Sequence, residues 1–250
     1  VQKPAGMAVH GGSGVSMGVI ELLRRERPEA RFLELVHRLD RDTSGVLLVA
    51  KRRPALLALQ QQFRDRRTDK TYLAIVFGRW PLRTRLIDQP LQRLAAPDGD
   101  RRVRVNADGR EARSWVTGLV HLDIDGLGTF TLVGVRIETG RTHQIRVHLA
   151  SSGFAIAGDE KYGDFALNRA LARRGHRRMF LHAWRLEIDA PEGARRLRFE
   201  ADPGDAFVRF VHEGSERRMT TQSWTELMPA RRGSSGLARA AANLDISGGI

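Results

Sequence analysis

The order of strand-like and helix-like segments constrains the fold of this chain most strongly. Strand-like residues occur in runs, most clearly over residues 101–137, where turn signals at Asp108-Gly109 and Asp125-Gly126 separate β-rich stretches. A doubly wound parallel sheet would instead require strands and helices to alternate regularly. The sequence therefore predicts an α+β fold with a mixed, largely antiparallel central sheet flanked by helices and loops.

Local patterns predict the individual elements of that fold. The run 45–50 is short and continuously apolar, which is typical of a buried strand, and Pro54 fits the first turn of a helix. Helices are expected at about 16–25, 54–63, 142–151, 164–173 and 205–211, and further strands at 70–78, 180–188 and 196–201. Beyond the helix expected at 205–211, the periodic pattern of apolar residues fades. We therefore expect residues 1–211 to form one domain and residues 212–250 a flexible C-terminal extension.

The charge of the chain favours a polyanionic partner. Its 42 Lys and Arg residues exceed its 29 Asp and Glu residues by 13, which points to nucleic acid or an anionic membrane surface. The chain has no cysteine, so disulfides, thiolate metal sites, iron–sulfur clusters and cysteine nucleophiles are excluded. No apolar run approaches the roughly 18 residues of a membrane span, and no signal peptide opens the chain. We therefore expect a soluble, cytoplasmic protein that does not bind membranes.

The segment 37–45 carries the densest set of reactive groups and leads into the predicted strand at 45–50. A capped turn explains residues 42–45, whose short polar side chains can bond to local backbone, but it does not explain the preceding His-Arg-Leu-Asp. A loop that enters a rigid strand is a common position for catalytic groups. No metal site is expected, because no cysteine pair, His-Glu-x-x-His sequence or calcium loop accompanies His37 and Asp40.

A second polar segment, residues 139–150, combines arginine, histidine and glutamine with apolar side chains. Thr142 and Arg146 would share one face of a helix here, so this segment alone also fits a solvent-exposed basic helix. Tyr72, within a predicted strand, would by itself more often be a core or interface residue than a catalytic one. Neither feature identifies a function in isolation.

Taken together, five ordered motifs resemble the RluA/RluC/RluD family of RNA pseudouridine synthases. The matching motifs are Lys-Pro-x-Gly at 3–6, His-Arg-Leu-Asp-x-x-Thr-Ser-Gly at 37–45, Lys-x-Tyr-Leu-Ala at 70–74, Gly-Arg-Thr-His-Gln-Ile-Arg-Val-His at 140–148 and Gly-Asp-x-x-Tyr-Gly at 158–163. The resemblance spans about residues 1–211. Within the family, the loop at 10–14 and residues 30–36 are most similar to the RluC group, which acts on large-subunit ribosomal RNA.

The resemblance implies a pseudouridine synthase fold with a catalytic cleft across the sheet, and isomerisation of specific uridines in 23S ribosomal RNA. That reaction breaks the bond from N1 to C1′, turns the base and rejoins it through C5, so it requires no cofactor and no metal. The essential carboxylate maps onto Asp40, which either attacks C1′ or removes the C2′ proton. Its arginine partner maps onto Arg146, with Arg141 as the alternative, and the active-site tyrosine maps onto Tyr72.

The resemblance also implies how the chain holds RNA. Arg38 matches an arginine that fills the space left by an extracted uridine, and Arg141, Lys3 and His37 are expected to contact RNA. The expected partner is large-subunit ribosomal RNA or its precursor, and the protein is expected to be a monomer. Members of the RluC group usually carry a small S4-type RNA-binding domain before the catalytic domain, and nothing in this chain resembles it.

Three alternatives remain open at this stage. A synthase of the same family could act on other ribosomal or transfer RNA sites. A non-catalytic RNA-binding ribosome assembly factor would explain the charge but not the position of Asp40 within its motif. A glycoside- or nucleoside-hydrolysing enzyme could use Asp40, but such enzymes commonly use a second carboxylate, and Asp42 fits a turn better.

Overall fold

A computed structural model describes residues 1–12, 17–94, 102–193 and 195–215. The helices in this part of the chain are α1 (Val19–Glu26), α2 (Arg53–Arg64), α3 (Gln144–Ser151), α4 (Phe165–Arg173) and α5 (Asp205–Gly214). The strands are β1 (Gln2–Lys3), β2 (Glu34–Leu35), β3 (Ser44–Val46), β4 (Val49–Ala50), β5 (Asp69–Phe77), β6 (Thr84–Asp88), β7 (Leu91–Leu94), β8 (Arg102–Val105), β9 (Arg113–Ile124), β10 (Gly128–Ile137), β11 (Leu181–Asp189) and β12 (Arg196–Glu200).

Eight of these strands form one mixed sheet. Their order is β1-β3-β11-β5-β10-β9-β6, and β12 pairs with β11 outside this path. Strands β3 and β11 run parallel, whereas the other named pairs of this sheet run antiparallel. Two short antiparallel pairs, β2 with β4 and β7 with β8, lie beside it. The predicted α+β class with a largely antiparallel sheet is confirmed.

The central strand β5 is buried on both of its faces. Leu73 and Ile75 point into one core and Ala74 and Val76 into the other, and all four are fully buried. This follows from the alternation of side chains along a strand. The first core includes residues of α4 and α5, and the second includes residues of α3. Helix α3 is therefore packed directly against the sheet that carries Tyr72.

Several predicted boundaries differ from the structure. The predicted strand 45–50 is wrong, because the chain changes partners within it: β3 joins the main sheet, whereas β4 pairs with β2. The break lies at Leu47, whose N–H donates to the carbonyl of Val1. The first helix starts at Val19 rather than at residue 16, and residues 13–16 lie outside the described residues. Strand β6 was not predicted, and its pattern of buried residues does not alternate.

The C-terminal part is described only as far as residue 215. Helix α5 continues past the predicted domain end at 211 and finishes at Gly214. The predicted flexible extension otherwise lies outside the described residues. Among the described residues, no helix is long and apolar enough to cross a membrane.

Candidate active site

A cleft of about 530 Å³ opens over the sheet beside the loop that precedes β3. It is bounded by that loop, by β5 and β10, by the paired strands β7 and β8 and by the start of α3. Five of the seven predicted site residues line it, together with His143: Arg38, Asp40, Tyr72, Arg141 and Arg146. The structure does not place Lys3 and His37 in this cleft.

The loop that carries Asp40 is fixed by a turn and by a glycine. The N–H of Thr43 donates to the carbonyl of Asp40 at 3.2 Å. Gly45 has φ +116°, and an added Cβ would lie 2.2 Å from the carbonyl oxygen of Ala183, so only glycine lets β3 approach β11 this closely. This close pairing anchors the C-terminal end of the loop, and the side chain of Asp40 remains 23% exposed in the cleft.

Arg146 joins two carboxylates beneath the cleft. Its Nε and Nη2 donate to the two carboxylate oxygens of Asp159, both at 2.8 Å, and its Nη1 donates to Oδ2 of Asp40 at 3.4 Å. The guanidinium also lies over the ring of Tyr162, 5.1 Å from its centroid. Burial lowers the pKa of Arg146, but the bond and charge of Asp159 and the charge of Asp40 outweigh it, so the net shift is upward. Arg146 is a fixed cation in contact with Asp40.

Asp159 is itself held by a tight turn. Gly158 precedes it with φ +77°, and an added Cβ would lie 1.9 Å from the carbonyl oxygen of Arg178. The N–H groups of Lys161 and Tyr162 donate to Asp159 Oδ1 at 2.9 and 3.1 Å. Burial raises the pKa of Asp159, but the bonds from Arg146 and from these N–H groups bring it below its ordinary value. The carboxylate therefore stays ionised and clamps Arg146.

The other polar side chains of α3 are satisfied internally. Gln144 accepts from the Thr139 hydroxyl and the Arg141 N–H and donates to the Arg113 carbonyl and the Ser114 hydroxyl, so its four bonding positions are filled. The first six residues of α3, 144–149, are buried. The alternative of a solvent-exposed basic helix is therefore wrong.

Arg141 and Arg146 occupy different places. The Nε of Arg141 donates to the carbonyl of Glu111 at 3.0 Å, and its side chain lines the cleft wall. Within the described part of the chain, Arg146 is the arginine that contacts Asp40. The position of Arg141 suits contact with a bound polyanion.

Helix α3 starts two residues later than predicted, and His143 is the residue that precedes it. The backbone of His143 has φ +53°, in the left-handed region, so the helix begins at Gln144 instead of residue 142. The Nε2 of His143 lies 3.9 Å from Asp40 Oδ2, and its Nδ1 lies 2.8 Å from the hydroxyl of Tyr162. Burial lowers the pKa of His143, despite the opposing charge of Asp40.

Tyr72 lies on β5 at the floor of the cleft. It pairs with Val135 of β10 and Ala183 of β11. Burial and the negative charge of Asp40 both raise the pKa of its phenol, so the neutral form is favoured. Its hydroxyl forms no hydrogen bond with the described residues and is available to a bound molecule.

Arg38 lies at the exposed edge of the cleft. Its side chain is exposed and makes no hydrogen bond or ion pair within the described residues. An unpaired guanidinium at the mouth of a cleft is free to stack on a base or bind a phosphate.

Lys3 does not contact the solvent, which contradicts its predicted contact with RNA. Its side chain is fully buried, and Nζ donates to the carbonyls of Pro4, Met7 and Arg41 at 2.7 to 2.8 Å. Burial lowers its pKa to about 8, against the charges of Asp42 and Asp40. Lys3 instead holds the back of the loop that carries Asp40.

His37 lies outside the cleft and packs against the protein, and its contact with RNA stays a prediction. Its ring stacks on Phe63 with centroids 4.9 Å apart, and its Nε2 accepts from the N–H of Leu48 at 3.0 Å. Burial lowers its pKa to about 4, so it carries no positive charge for a phosphate at neutral pH. His37 is a structural residue that links the loop to the segment before β4.

Three residues of the site were not among the predicted site residues: His143, Asp159 and Tyr162. A signal was present for the last two in the Gly-Asp-x-x-Tyr-Gly turn at 158–163, which lies 13 residues beyond Arg146 and folds back onto it. No group of three or more histidine or acidic side chains is placed to bind a metal ion within the described residues.

The chain is similar to proteins of one known family. The profile of the family described as RNA pseudouridylate synthase matches residues 1–151. A protein of Pasteurella multocida named ribosomal large subunit pseudouridine synthase C is 46% identical over 202 residues, which are 80% of this chain and 60% of that protein. Its namesake from Escherichia coli K12 is 47% identical over 216 residues, 85% of this chain and 66% of that protein. The chain thus spans about three fifths to two thirds of the length of these relatives.

Two solved structures show the same fold. Human RNA pseudouridylate synthase domain containing 1 matches with a TM-score of 0.66 at 24% identity, covering 81% of this chain and 78% of that one. Human RNA pseudouridylate synthase domain containing 4 matches with a TM-score of 0.64 at 26% identity, covering 85% of this chain and 87% of that one. By fold and by sequence, this chain belongs to the RNA pseudouridylate synthase family.

Proposed function

We propose that this chain isomerises specific uridines to pseudouridine in large-subunit, 23S ribosomal RNA. The observation that carries the proposal is the carboxylate of Asp40, which lies in a cleft with Arg146 3.4 Å from its Oδ2. The names of the relatives from Pasteurella multocida and Escherichia coli support the choice of large-subunit ribosomal RNA. Transfer RNA and other ribosomal sites are the alternative substrates.

Asp40 is the group that breaks the glycosidic bond. It either attacks C1′, so that a bond to the carboxylate forms as the bond to N1 breaks, or removes the C2′ proton as uracil leaves. Uracil then turns. In the first route C5 bonds to C1′ as the bond between C1′ and the carboxylate breaks, and in the second C5 bonds to C1′ of the glycal while Asp40 returns the proton to C2′. In both routes the proton of C5 is then lost and N1 gains a proton. No electrons are transferred and no group is added, so we propose that neither a cofactor nor a metal takes part.

Tyr72 supports the detached base. Its ring offers a stacking surface at the floor of the cleft, and its hydroxyl is free to bond to the base. Because burial and Asp40 raise the pKa of the phenol, a phenolate that removes the C5 proton is disfavoured. The neutral phenol instead acts as a stacking and hydrogen-bonding group.

Arg38 and Arg141 hold RNA around the cleft. The target uridine must leave its helix, which costs a few kcal/mol of stacking and pairing. Arg38 fills the vacated space, because a guanidinium both stacks on bases and donates hydrogen bonds. The chain's net charge of +13 favours phosphate contacts elsewhere on the surface. We expect a monomer in the bacterial cytoplasm, where ribosomes are made.

Mapping of pseudouridines tests the proposal. The chain is incubated with unmodified large-subunit ribosomal RNA, with small-subunit RNA and with transfer RNA, without metal or nucleotide. Pseudouridine at discrete positions of the large-subunit RNA is expected. Modification of only the other RNAs would contradict the assignment of substrate, and binding without modification would identify an RNA-binding factor. Release of free uracil would identify a hydrolase.

A further inference from the structure

His143 lies between Asp40 and Tyr162 and has no part in the chemistry described above. Its side chain is 13% exposed, with Nε2 3.9 Å from Asp40 Oδ2 and Nδ1 2.8 Å from the hydroxyl of Tyr162. The rings of His143 and Tyr162 pack edge to face, with centroids 5.5 Å apart. The imidazole is thus held at one end and faces the Asp40 carboxylate at the other.

The hydrogen bonds of Tyr162 determine which nitrogen of His143 carries the proton. The N–H of Val103 donates to the Tyr162 oxygen at 3.0 Å, and Nδ1 of His143 is the acceptor that the described residues offer to the phenolic proton. A neutral imidazole that accepts at Nδ1 carries its proton on Nε2. The opposite tautomer would leave the phenolic proton without an acceptor among the described residues and turn a lone pair toward the Asp40 carboxylate. The network therefore assigns the Nε2–H tautomer.

The backbone at His143 is constrained in a way that helix formation alone does not require. It has φ +53° and immediately precedes α3. For a residue other than glycine, the left-handed conformation costs about 1 kcal/mol or more, and such strain concentrates at functional sites. The strained residue here is the one whose ring faces the Asp40 carboxylate.

We propose that His143 is a positioning residue for Asp40: its Nε2–H and the Arg146 guanidinium together hold Oδ2, and Oδ1 is presented to the ribose of the target uridine. Both observed contacts reach Oδ2, and no hydrogen bond from the described residues reaches Oδ1. The distance of 3.9 Å exceeds a hydrogen bond, but such bonds are often long without substrate and tighten when it binds. The inference rests on the proposed synthase function.

Burial favours the neutral form of His143, and the charged groups around it act on its pKa in both directions. Asp40 faces it from the loop before β3, Arg146 from α3, and Asp159 and Lys161 from the turn at 158–163. Burial is the largest influence, and the net effect is a pKa below the ordinary value of 6.5. The imidazole is therefore neutral at pH 7, as acceptance of a hydrogen bond at Nδ1 requires.

Nitrogen NMR of the full chain with 15N-labelled histidine measures the tautomer without any substrate. His143 is expected to carry its proton on Nε2 and to lack one on Nδ1, with its resonances identified by their loss in His143→Gln. In Tyr162→Phe, the fixed tautomer should give way to a mixture. An Nδ1–H tautomer in the wild type would overturn the proposal, whether or not the chain proves to be a synthase.

Two matched substitutions separate positioning from simple packing. In His143→Gln the amide nitrogen can occupy the place of Nε2, whereas in His143→Asn the shorter amide reaches only the place of Nδ1. Because misplacing a catalytic group by about 1 Å can cost about a hundredfold in rate, we expect kcat within about fivefold of wild type for Gln and about fiftyfold lower for Asn. KM for RNA should change less than about twofold in both, since neither side chain is expected to bind phosphate. Equal loss of kcat in the two variants would overturn the proposal.

A double-mutant cycle tests the link to Tyr162. Tyr162→Phe should lower kcat about tenfold in the wild-type background but cause no further loss in His143→Gln, where no tautomer has to be fixed. Independent, multiplicative losses would contradict the link. Absence of any turnover by the wild type would instead refute the proposed function and leave the tautomer measurement valid.

Discussion

Two polar clusters flank the loop that carries Asp40, and their cations have different bonding partners. The cleft cluster comprises Asp40, His143, Arg146, Asp159 and Tyr162. The supporting cluster comprises Lys3, Ser44, Arg178 and His182. In the cleft cluster the cation is bonded to two carboxylates. In the supporting cluster Lys3 and Arg178 donate to uncharged oxygen atoms of the backbone and of Ser44.

The difference shows in the direction of the pKa shifts. The pKa of Arg146 is raised, because the carboxylates outweigh its burial. Burial lowers the pKa of both Lys3 and Arg178. Residues of similar prominence in the sequence motifs thus serve two purposes. One cluster maintains opposite charges in the cleft, and the other bonds to the loop from outside the cleft.

Replacing Asp159 should give the largest effect on stability. In Asp159→Asn the buried guanidinium of Arg146 loses its two-point partner, and loss of one member of a buried ion pair costs about 3 to 5 kcal/mol of unfolding free energy. Turnover should fall about a hundredfold, because Arg146 no longer holds Asp40 in place. Denaturant unfolding and tritium release from labelled RNA measure the two effects.

An exposed ion pair of the same chemistry provides the control. Arg113 and Asp88 lie 2.9 Å apart on the surface, and Asp88→Asn should cost less than about 1 kcal/mol. Equal destabilisation by the two substitutions would contradict the claim that the buried Asp159–Arg146 pair contributes more to stability than an exposed ion pair.

Replacing Arg38 tests its proposed role in extracting the target base. Arg38→Ala should lower kcat/KM on folded RNA about tenfold, equivalent to about 1.4 kcal/mol of the cost of extracting the base. The loss should be smaller on an unstructured oligonucleotide, in which the uridine is already unstacked. Arg41→Ala, in the same loop but paired with Asp42, should have little effect on either substrate. Equal losses on both substrates for Arg38→Ala would exclude a role in base extraction.

His182 of the supporting cluster should make the free energy of unfolding depend on pH. The Nδ1 of His182 lies 2.8 Å from the Ser44 hydroxyl and its Nε2 lies 2.9 Å from the Ala201 carbonyl, and burial lowers its pKa from 6.5 to about 4. The unfolded chain therefore binds the proton more readily between pH 6.5 and 4, so the free energy of unfolding should fall across this window as pH falls. A decrease of about 1 to 3 kcal/mol is expected from this residue.

Comparison with a variant isolates that contribution. His182→Gln should be less stable than wild type at pH 7 but should lose less further stability on acidification, measured by urea unfolding at pH 7, 6, 5 and 4. Part of the slope should remain, because the pKa of His37 is also lowered to about 4. An unchanged slope would contradict the assignment of His182 as a buried neutral group.

The sequence predicted the class of fold and five of the residues around the cleft, because strand patterns are local and the catalytic motifs are contiguous. It could not predict that Lys3 is buried behind the loop, since its side chain bonds to the carbonyl of Arg41, a contact between residues 38 positions apart in the sequence. The change of partner between β3 and β4 was also missed, because an apolar run in the sequence does not indicate which strand each of its residues pairs with. The clamp by Asp159 depends on a turn 13 residues beyond Arg146 that folds back onto it.

Tritium release from uridine labelled at C5 tests the central claim most directly. The wild type is expected to release the label from large-subunit ribosomal RNA without added metal or nucleotide. Asp40→Asn, which removes the negative charge and retains the shape of the side chain, should abolish release while RNA binding persists. Release by Asp40→Asn at the wild-type rate would contradict the assignment of Asp40 as the group that breaks the glycosidic bond.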